Sequence, residues 1–337
     1  MPDAKGINRK TVTNFLLNNA IIILLVAISV TVGILRPVFF INWRQVLINL
    51  INNTAPRFII ALGVSGCLIA KGTDLSAGRS VGLAGCIAAT FLQRTDYASK
   101  VYPGLGDINI LLVMLGVIVV AALFGAINGS IISFLKVPPF ITTLGMQTII
   151  YGICLVFTGA QPIGGLRDDY TRISSGSLFD IKLLPYLGFI ALFCGFIMWF
   201  IYNKTSHGKY MYAIGGNEAA AEGNGINTRF TKIIIYASAG ALYGLAGFIY
   251  GAKAGGTSVN LAAGYELEAI AGCTIGGVST NGGVGRVSGI LIGVLVFELL
   301  KITMNFLGVE TSYTYIVQGL VIVLAVAIDM RKYAGRK

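Results

Sequence analysis

Long apolar runs separated by short polar breaks fill the chain. Seven runs are clear, at 15–35, 110–135, 140–159, 183–202, 233–252, 287–307 and 313–328. Three others, 46–70, 75–93 and 266–283, are interrupted by charges or glycines. A helix needs about 20 apolar residues to cross the hydrocarbon core of a bilayer. In lipid every backbone amide must be bonded internally, so each run folds most simply as a helix. The pattern predicts an all-α, polytopic membrane protein with about ten transmembrane helices, and a single membrane domain over residues 1–337.

Composition supports this. Hydrophobic residues make up 55% of the 337 and charged residues 12%, against roughly 25% charged in soluble chains. A water-soluble fold with that balance would expose large apolar patches and aggregate. The 44 glycines suit helices that must approach closely in lipid. The N-terminal run follows Lys5, Arg9 and Lys10 and is too long for the core of a cleaved leader, so it reads as a first span.

The net charge of +11 does not point to nucleic acid, because the basic residues stand singly between apolar runs, as topology signals do. With the N-terminus in the cytoplasm, ten helices place fifteen of the 25 basic residues inside and nine outside, Arg57 falling within a helix. Both termini are then cytoplasmic. The longest inside loop is 203–232 and the main outside loop 160–182, the latter carrying Asp168, Asp169 and Asp180.

Catalytic chemistry is thin. Cys67, Cys86, Cys154, Cys194 and Cys273 lie in or beside apolar runs without metal-ligand spacing, so they read as small buried residues and no metal site is expected. His207 is the one histidine, expected to be solvated in the inside loop. Gly208-Lys209 is followed by Tyr210 and lacks the earlier glycine of a phosphate-binding loop. If ATP drives this protein, another chain binds it.

The inside loop holds Asn217-Glu218-Ala219-Ala220-Ala221-Glu222-Gly223-Asn224-Gly225. Asn217 is a good N-cap, Glu218 and Glu222 suit the first turns, and Gly223 and Gly225 end the segment. A short helix outside the bilayer follows, either an interfacial linker or a peg for a cytosolic partner. It resembles the coupling segment of ABC importer permeases, a Glu-Ala-Ala-x-x-x-Gly pattern. Counting back from Gly225, the family's Glu position holds Ala219, and the acid stands one residue earlier at Glu218.

The resemblance spans nearly the whole chain. Residues 59–64, Lys71-Gly72-Thr73-Asp74-Leu75-Ser76-Ala77-Gly78-Arg79, Pro139-Phe140-Ile141-Thr142-Thr143-Leu144-Gly145 and 213–217 resemble the monosaccharide permeases of the ribose, xylose and galactose importers. Thr73 before Asp74 and Arg79 after Gly78 are most similar to the galactose/methyl-galactoside branch. The resemblance implies a homodimer with the path at its two-fold axis. It also implies a cytoplasmic ABC ATPase that holds the ATP and Mg, and a periplasmic sugar-binding protein.

Candidate path residues follow. Asp74 either caps the helix beginning near Leu75 or lines the sugar path, and its charge calls for water, a backbone nest or a cation such as Arg79. Asn52, Asn53 and Thr54 precede Pro56 and Arg57 and suit sugar hydroxyls, or else Arg57 snorkels to the outer surface. Thr142 and Thr143 either bond back to their helix or line the pore. Glu298 and Lys301, three apart on one helix, read as a helix-internal ion pair. The rival readings are an ion-coupled secondary sugar transporter, a passive channel, and an ABC permease for ribose, xylose or another small solute.

Overall fold

The computed structural model describes residues 20–334, and among them every regular element is helical. Fourteen α-helices are described: α1 (Ala20–Leu35), α2 (Val38–Ile41), α3 (Trp43–Ile69), α4 (Ala77–Phe91), α5 (Ile110–Phe134), α6 (Pro139–Thr158), α7 (Asp168–Ser175), α8 (Tyr186–Lys204), α9 (Ser206–Gly216), α10 (Glu218–Gly223), α11 (Thr228–Ala254), α12 (Tyr265–Ile275), α13 (Val287–Phe306) and α14 (Thr311–Ala334). The expected basic residues Lys5, Arg9 and Lys10, and the start of the 15–35 run, lie outside the described residues.

Local chemistry sets the ends of these helices. Asn109 caps α5 by accepting from Leu111 N at 2.8 Å, and Asn227 caps α11 by accepting from Phe230 N at 3.0 Å. Pro138-Pro139 opens α6, where the missing N–H costs nothing. Gly159 and Gly255 close α6 and α11 in the left-handed region.

Six helices, α3, α5, α6, α8, α11 and α13, are long and apolar enough to cross a membrane. Their hydropathy tracks their position. Helix α5, mostly unburied, has mean hydropathy 3.0, whereas the interior α11 has 1.6. A lipid-facing helix must be apolar all round, and an interior one can carry glycines and hydroxyls.

Two of the expected spans take another form. The 75–93 run yields α4, of 15 residues, and the 266–283 run yields α12, of 11. At about 1.5 Å per residue these fall short of a ~30 Å hydrocarbon core. Helix α12 stops because Gly277, Gly282 and Gly283 adopt positive φ and the chain turns. The non-helical stretches beside these helices bury Asp74, Ser76, Thr257, Ala262, Val278 and Ser279. Irregular backbone is thus shielded by protein, as a membrane setting demands.

Helix α11 is the axis of the bundle and packs on α5, α4 and α3. Glycines on both helices permit close approach, since a Cβ at Gly125 of α5 would stand 2.1 Å from the Tyr236 carbonyl oxygen and one at Gly240 of α11 would stand 2.3 Å from the Ala121 carbonyl oxygen. The main core joins Ile59, Leu62 and Leu68 of α3 to Tyr236 and Tyr243 of α11 and Ile290 and Val294 of α13. A second core gathers α4, α5 and α6 around Tyr170, whose hydroxyl donates to the Phe248 carbonyl at 2.6 Å. Beside Tyr170, Arg167 pairs with Asp169 at 2.5 Å and donates to the Ile108 carbonyl at 2.8 Å, pinning the 160–182 segment to the start of α5. The guanidinium holds the Asp169 carboxyl below its usual range.

Candidate functional site

The segment 203–232 contains two consecutive short helices, α9 and α10, where the sequence suggested one. Thr205 caps α9 by accepting from Gly208 N at 3.2 Å, and Asn217 caps α10 by accepting from Ala220 N at 3.0 Å. Asn217, Glu218, Ala219, Ala220, Glu222 and Gly225 are exposed, while Ala221 turns inward. Gly225 closes the segment at φ +82°. Glu218 is paired with Lys232 at 2.6 Å, and Glu222 accepts from the Thr228 hydroxyl at 3.2 Å. Both acids therefore lace α10 to the start of α11, and the alanine face is left open.

Helix α10 has 6 residues, too few to be stable alone. Its cap and its two ties supply the order. Asn217→Ala is expected to cost about 1 kcal/mol of helix stability, roughly a fivefold fall in the ordered population. Faster amide exchange confined to 217–225 would register it; unchanged exchange would show that the ties suffice.

The end of α9 is set by Gly215. A Cβ there would lie 1.7 Å from the Ile69 carbonyl oxygen and 2.5 Å from Gly283 N. The same carbonyl accepts from Gly283 N at 2.8 Å. This one point joins α9, the end of α3 and the turn before α13.

His207, expected to be solvated, is half-buried in α9. Burial pushes its imidazole pKa below the ordinary value. The folded segment therefore binds a proton less readily than the unfolded one. Its contribution to stability is full above the unfolded value of about 6.5 and is lost as pH falls through the folded value. Exchange protection across α9 should fall between about pH 7.5 and 5.5 and stay level in His207→Asn; equal falls in both proteins would remove His207 from the effect.

Asp74 sits in a buried turn before α4. Its Oδ1 accepts from Ser76 N at 2.9 Å and from the Ser76 hydroxyl at 2.6 Å, and that hydroxyl also accepts from the Asn128 amide at 3.0 Å. The side chain orders the turn that leads into α4, whose N-cap is Ser76 and not Asp74. The expected Asp74–Arg79 contact is not formed. Arg79 instead donates to the Val259 carbonyl at 2.9 Å and lies 4.2 Å over the Tyr151 ring. The cation thus fastens the loop before α12 to α4 and α6.

Thr142 and Thr143 bond back to the carbonyls of Pro138 and Pro139, at 3.3 and 2.9 Å. Thr143 also accepts from Leu75 N at 3.1 Å, tying α6 to the Asp74 turn.

The largest polar cluster lies deep between α3, α11, α12 and α13. Pro56 is inside α3 and cannot donate to the Asn52 carbonyl. The Lys253 ammonium of α11 fills that vacancy at 3.1 Å and also donates to Asn53 Oδ1. Asn52 Oδ1 and the Thr54 hydroxyl are buried without a partner among the described residues. One turn on, Arg57 points inward and does not snorkel. It pairs with Glu298 at 2.9 Å and Glu268 at 3.3 Å and donates to the Tyr265 hydroxyl at 3.3 Å. Lys301 completes the set by pairing with Glu268 at 2.5 Å.

This corrects the expected Glu298–Lys301 pair. Both residues lie on α13, yet each ion pair reaches to another helix. Lys301 lies inside α13, as its spacing from Glu298 suggested. Sequence reasoning also passed over Glu268 and Tyr265 as partners. The available signal was that an ionisable residue in an apolar run needs a counter-charge.

Residues 46–326 match the family described as branched-chain amino acid transport system / permease component. The galactose/methyl galactoside import permease protein of Escherichia coli K12 is 40% identical, covering 98% of this chain and 99% of that one. The Haemophilus influenzae protein of the same name is 41% identical over 86% of this chain and 87% of its own. The ribose import permease protein of Escherichia coli K12 is 34% identical over 93% of each. No solved structure matches the chain. These relatives are transport subunits and not enzymes, which accords with a bundle of apolar helices. The chain belongs to this family of permease components, and is a multi-pass protein of the inner membrane.

Proposed function

We propose that the chain is the membrane-spanning permease subunit of an ATP-driven ABC importer for a monosaccharide, galactose or a methyl galactoside first among them. The observation that carries this reading is end-to-end similarity to permeases named for galactose/methyl galactoside import. In this reading ten spans thread the membrane with both termini in the cytoplasm. The broken elements at α4 and α12 are completed by their buried irregular neighbours.

Two copies form the path at a two-fold axis. A cytoplasmic ATPase, which binds the ATP and Mg, docks on α10, and a periplasmic binding protein presents the sugar to the 160–182 side. Helix α10 suits a docking peg because its open face is small alanines on a capped, tethered turn. Cassette closure would push α10, and the Gly215–Ile69 contact would carry that motion to α3 and α13. The cycle runs if the two membrane states differ in affinity for the closed cassettes. Sugar selection then lies mainly with the binding protein, while Asn52, Asn53 and Thr54 offer amide and hydroxyl partners along the path.

An ion-coupled transporter would need a carboxylate free to exchange a proton or cation at membrane depth. Glu298, the candidate the sequence offered, is committed to an ion pair with Arg57 and is not free for that role. Uptake of labelled galactose, ribose and xylose by vesicles holding the chain with its ATPase and binding protein tests the substrate. Galactose preferred over both pentoses is the expected result; preference for ribose or xylose would reassign the sugar.

A further inference from the structure

A cavity of about 480 Å³ opens beside α10, between the α5–α6 turn and the start of α11. Lys71, Lys136, Arg229 and Lys232 line it, with Glu218 and Glu222 on one wall. The two acids are already engaged, Glu218 by Lys232 and Glu222 by the Thr228 hydroxyl. Lys71, Lys136 and Arg229 are exposed, and among the described residues no hydrogen bond or ion pair of their side chains is seen. Three uncommitted cations thus converge on one concavity.

The lining contains a second, independent polar feature. Tyr236 is 2% exposed and its hydroxyl has no partner among the described residues. That hydroxyl presses against Gly72, where a Cβ would come within 2.3 Å of it. A buried hydroxyl left without a bond is costly unless something fills the site.

The helix ends next to the lining residues form an apolar, open rim outside the cavity itself. Phe134 and Leu135 at the end of α5, Phe140 and Ile141 at the start of α6, and Phe230 at the start of α11 are all more than half exposed. Free phosphate has no use for such a rim. A molecule with an anionic head and hydrocarbon tails would satisfy the cations and the rim at once.

We propose that this cavity binds the phosphodiester headgroup of an anionic phospholipid, with its acyl chains lying along the exposed ends of α5, α6 and α11. The phosphate oxygens accept from Lys71, Lys136 and Arg229, and the Tyr236 hydroxyl donates from below. Basic pockets between membrane helices are suited to such headgroups, each cation near the surface contributing about fivefold to affinity. Because the lipid would sit against α10 and the Lys232–Glu218 pair, it would also steady the segment that faces the cytosol. This inference needs the membrane assignment, and it holds whichever solute is carried.

The test is native mass spectrometry of the full chain exchanged into detergent with equal phosphatidylglycerol and phosphatidylcholine. Wild type is expected to retain phosphatidylglycerol in preference, and Lys136→Gln with Arg229→Gln to lower that preference by roughly twentyfold or more. Lys209→Gln, an exposed lysine of α9 outside the cavity, should leave it unchanged. Excess inorganic phosphate should not displace the lipid.

Equal retention by the double variant and wild type would overturn the proposal. So would displacement by phosphate alone, which would mark a free-anion site. Unchanged lipid retention with loss of ATPase co-purification would instead assign the cations to the cytosolic partner and overturn it as well. Circular dichroism of the double variant at wild-type helicity guards against simple unfolding, and Tyr236→Phe gives a milder variant that should lower retention without removing a charge.

Discussion

Arg57→Met is expected to destabilise the protein by about 3–5 kcal/mol. The guanidinium stands between Glu268 and Glu298, whose side chains are 14% and 3% exposed. Removing it leaves Lys301 to serve Glu268 and nothing to serve Glu298. A buried carboxylate without a counter-charge is far more costly than the pair it came from, whereas removing both partners together restores most of the loss. Thermal unfolding in detergent should therefore show a large drop for Arg57→Met and a much smaller one for Arg57→Met with Glu298→Met. A double-mutant cycle reads the coupling directly. Arg57→Lys should fall between, because a point charge cannot reach Glu268, Glu298 and Tyr265 together. Additive losses across the cycle would mean that the two residues do not hold α3 to α13.

The second large effect is at Gly215. Both atoms that a methyl group would strike are backbone, the Ile69 oxygen at 1.7 Å and Gly283 N at 2.5 Å, so relief requires a helix to move. Gly215→Ala is expected to cost about 1–3 kcal/mol and to displace α9 and α10 from the end of α3. Energy-coupled uptake should then fall roughly five- to a hundredfold, with the chain still inserted in the membrane. Gly216→Ala is the internal control, since a Cβ there meets nothing within 4 Å. Equal uptake by the two variants would remove the Gly215 contact from the coupling route.

What the sequence made legible follows the physics of lipid exposure. Helices such as α5 and α8 face hydrocarbon on much of their surface, so their apolar runs are long and plain. Helix α12 is different. It is an 11-residue element buried over most of its second half, and nothing requires it to be continuously apolar or long. Its end depends on glycines in positive φ, which a hydropathy pattern does not register. Helix α10 was legible from Asn217 and the alanines after it, because a cap and a helix-forming run are local signals. Helix α9, with Gly208 in its first turn, carries a weak local signal and is placed by packing against Ile69.

The same division explains the site residues. The two threonines bond back to their own helix, a reading open at the start, while Asp74 bonds two residues on to Ser76, the N-cap of α4. Partner choice across the bundle was not. Spacing puts Glu298 and Lys301 on one face of α13, but their counter-charges, Arg57 and Glu268, arrive from 241 and 33 residues away in the chain. Such pairings are tertiary information. Pro56 sits inside an uninterrupted α3, and the Lys253 ammonium that fills the freed Asn52 carbonyl came into view with the fold.

In the proposed function this bundle is a conduit driven from outside itself, by an ATPase acting through α10. The most direct measurement is galactose uptake by inside-accessible vesicles holding the chain and the binding protein, with the ATPase subunit present, absent, or present with the order of residues 217–225 scrambled. Uptake with ATP and the intact partner, and background uptake in the other two cases, is the expected result. Uptake that persists without the ATPase and follows an ion gradient would contradict it.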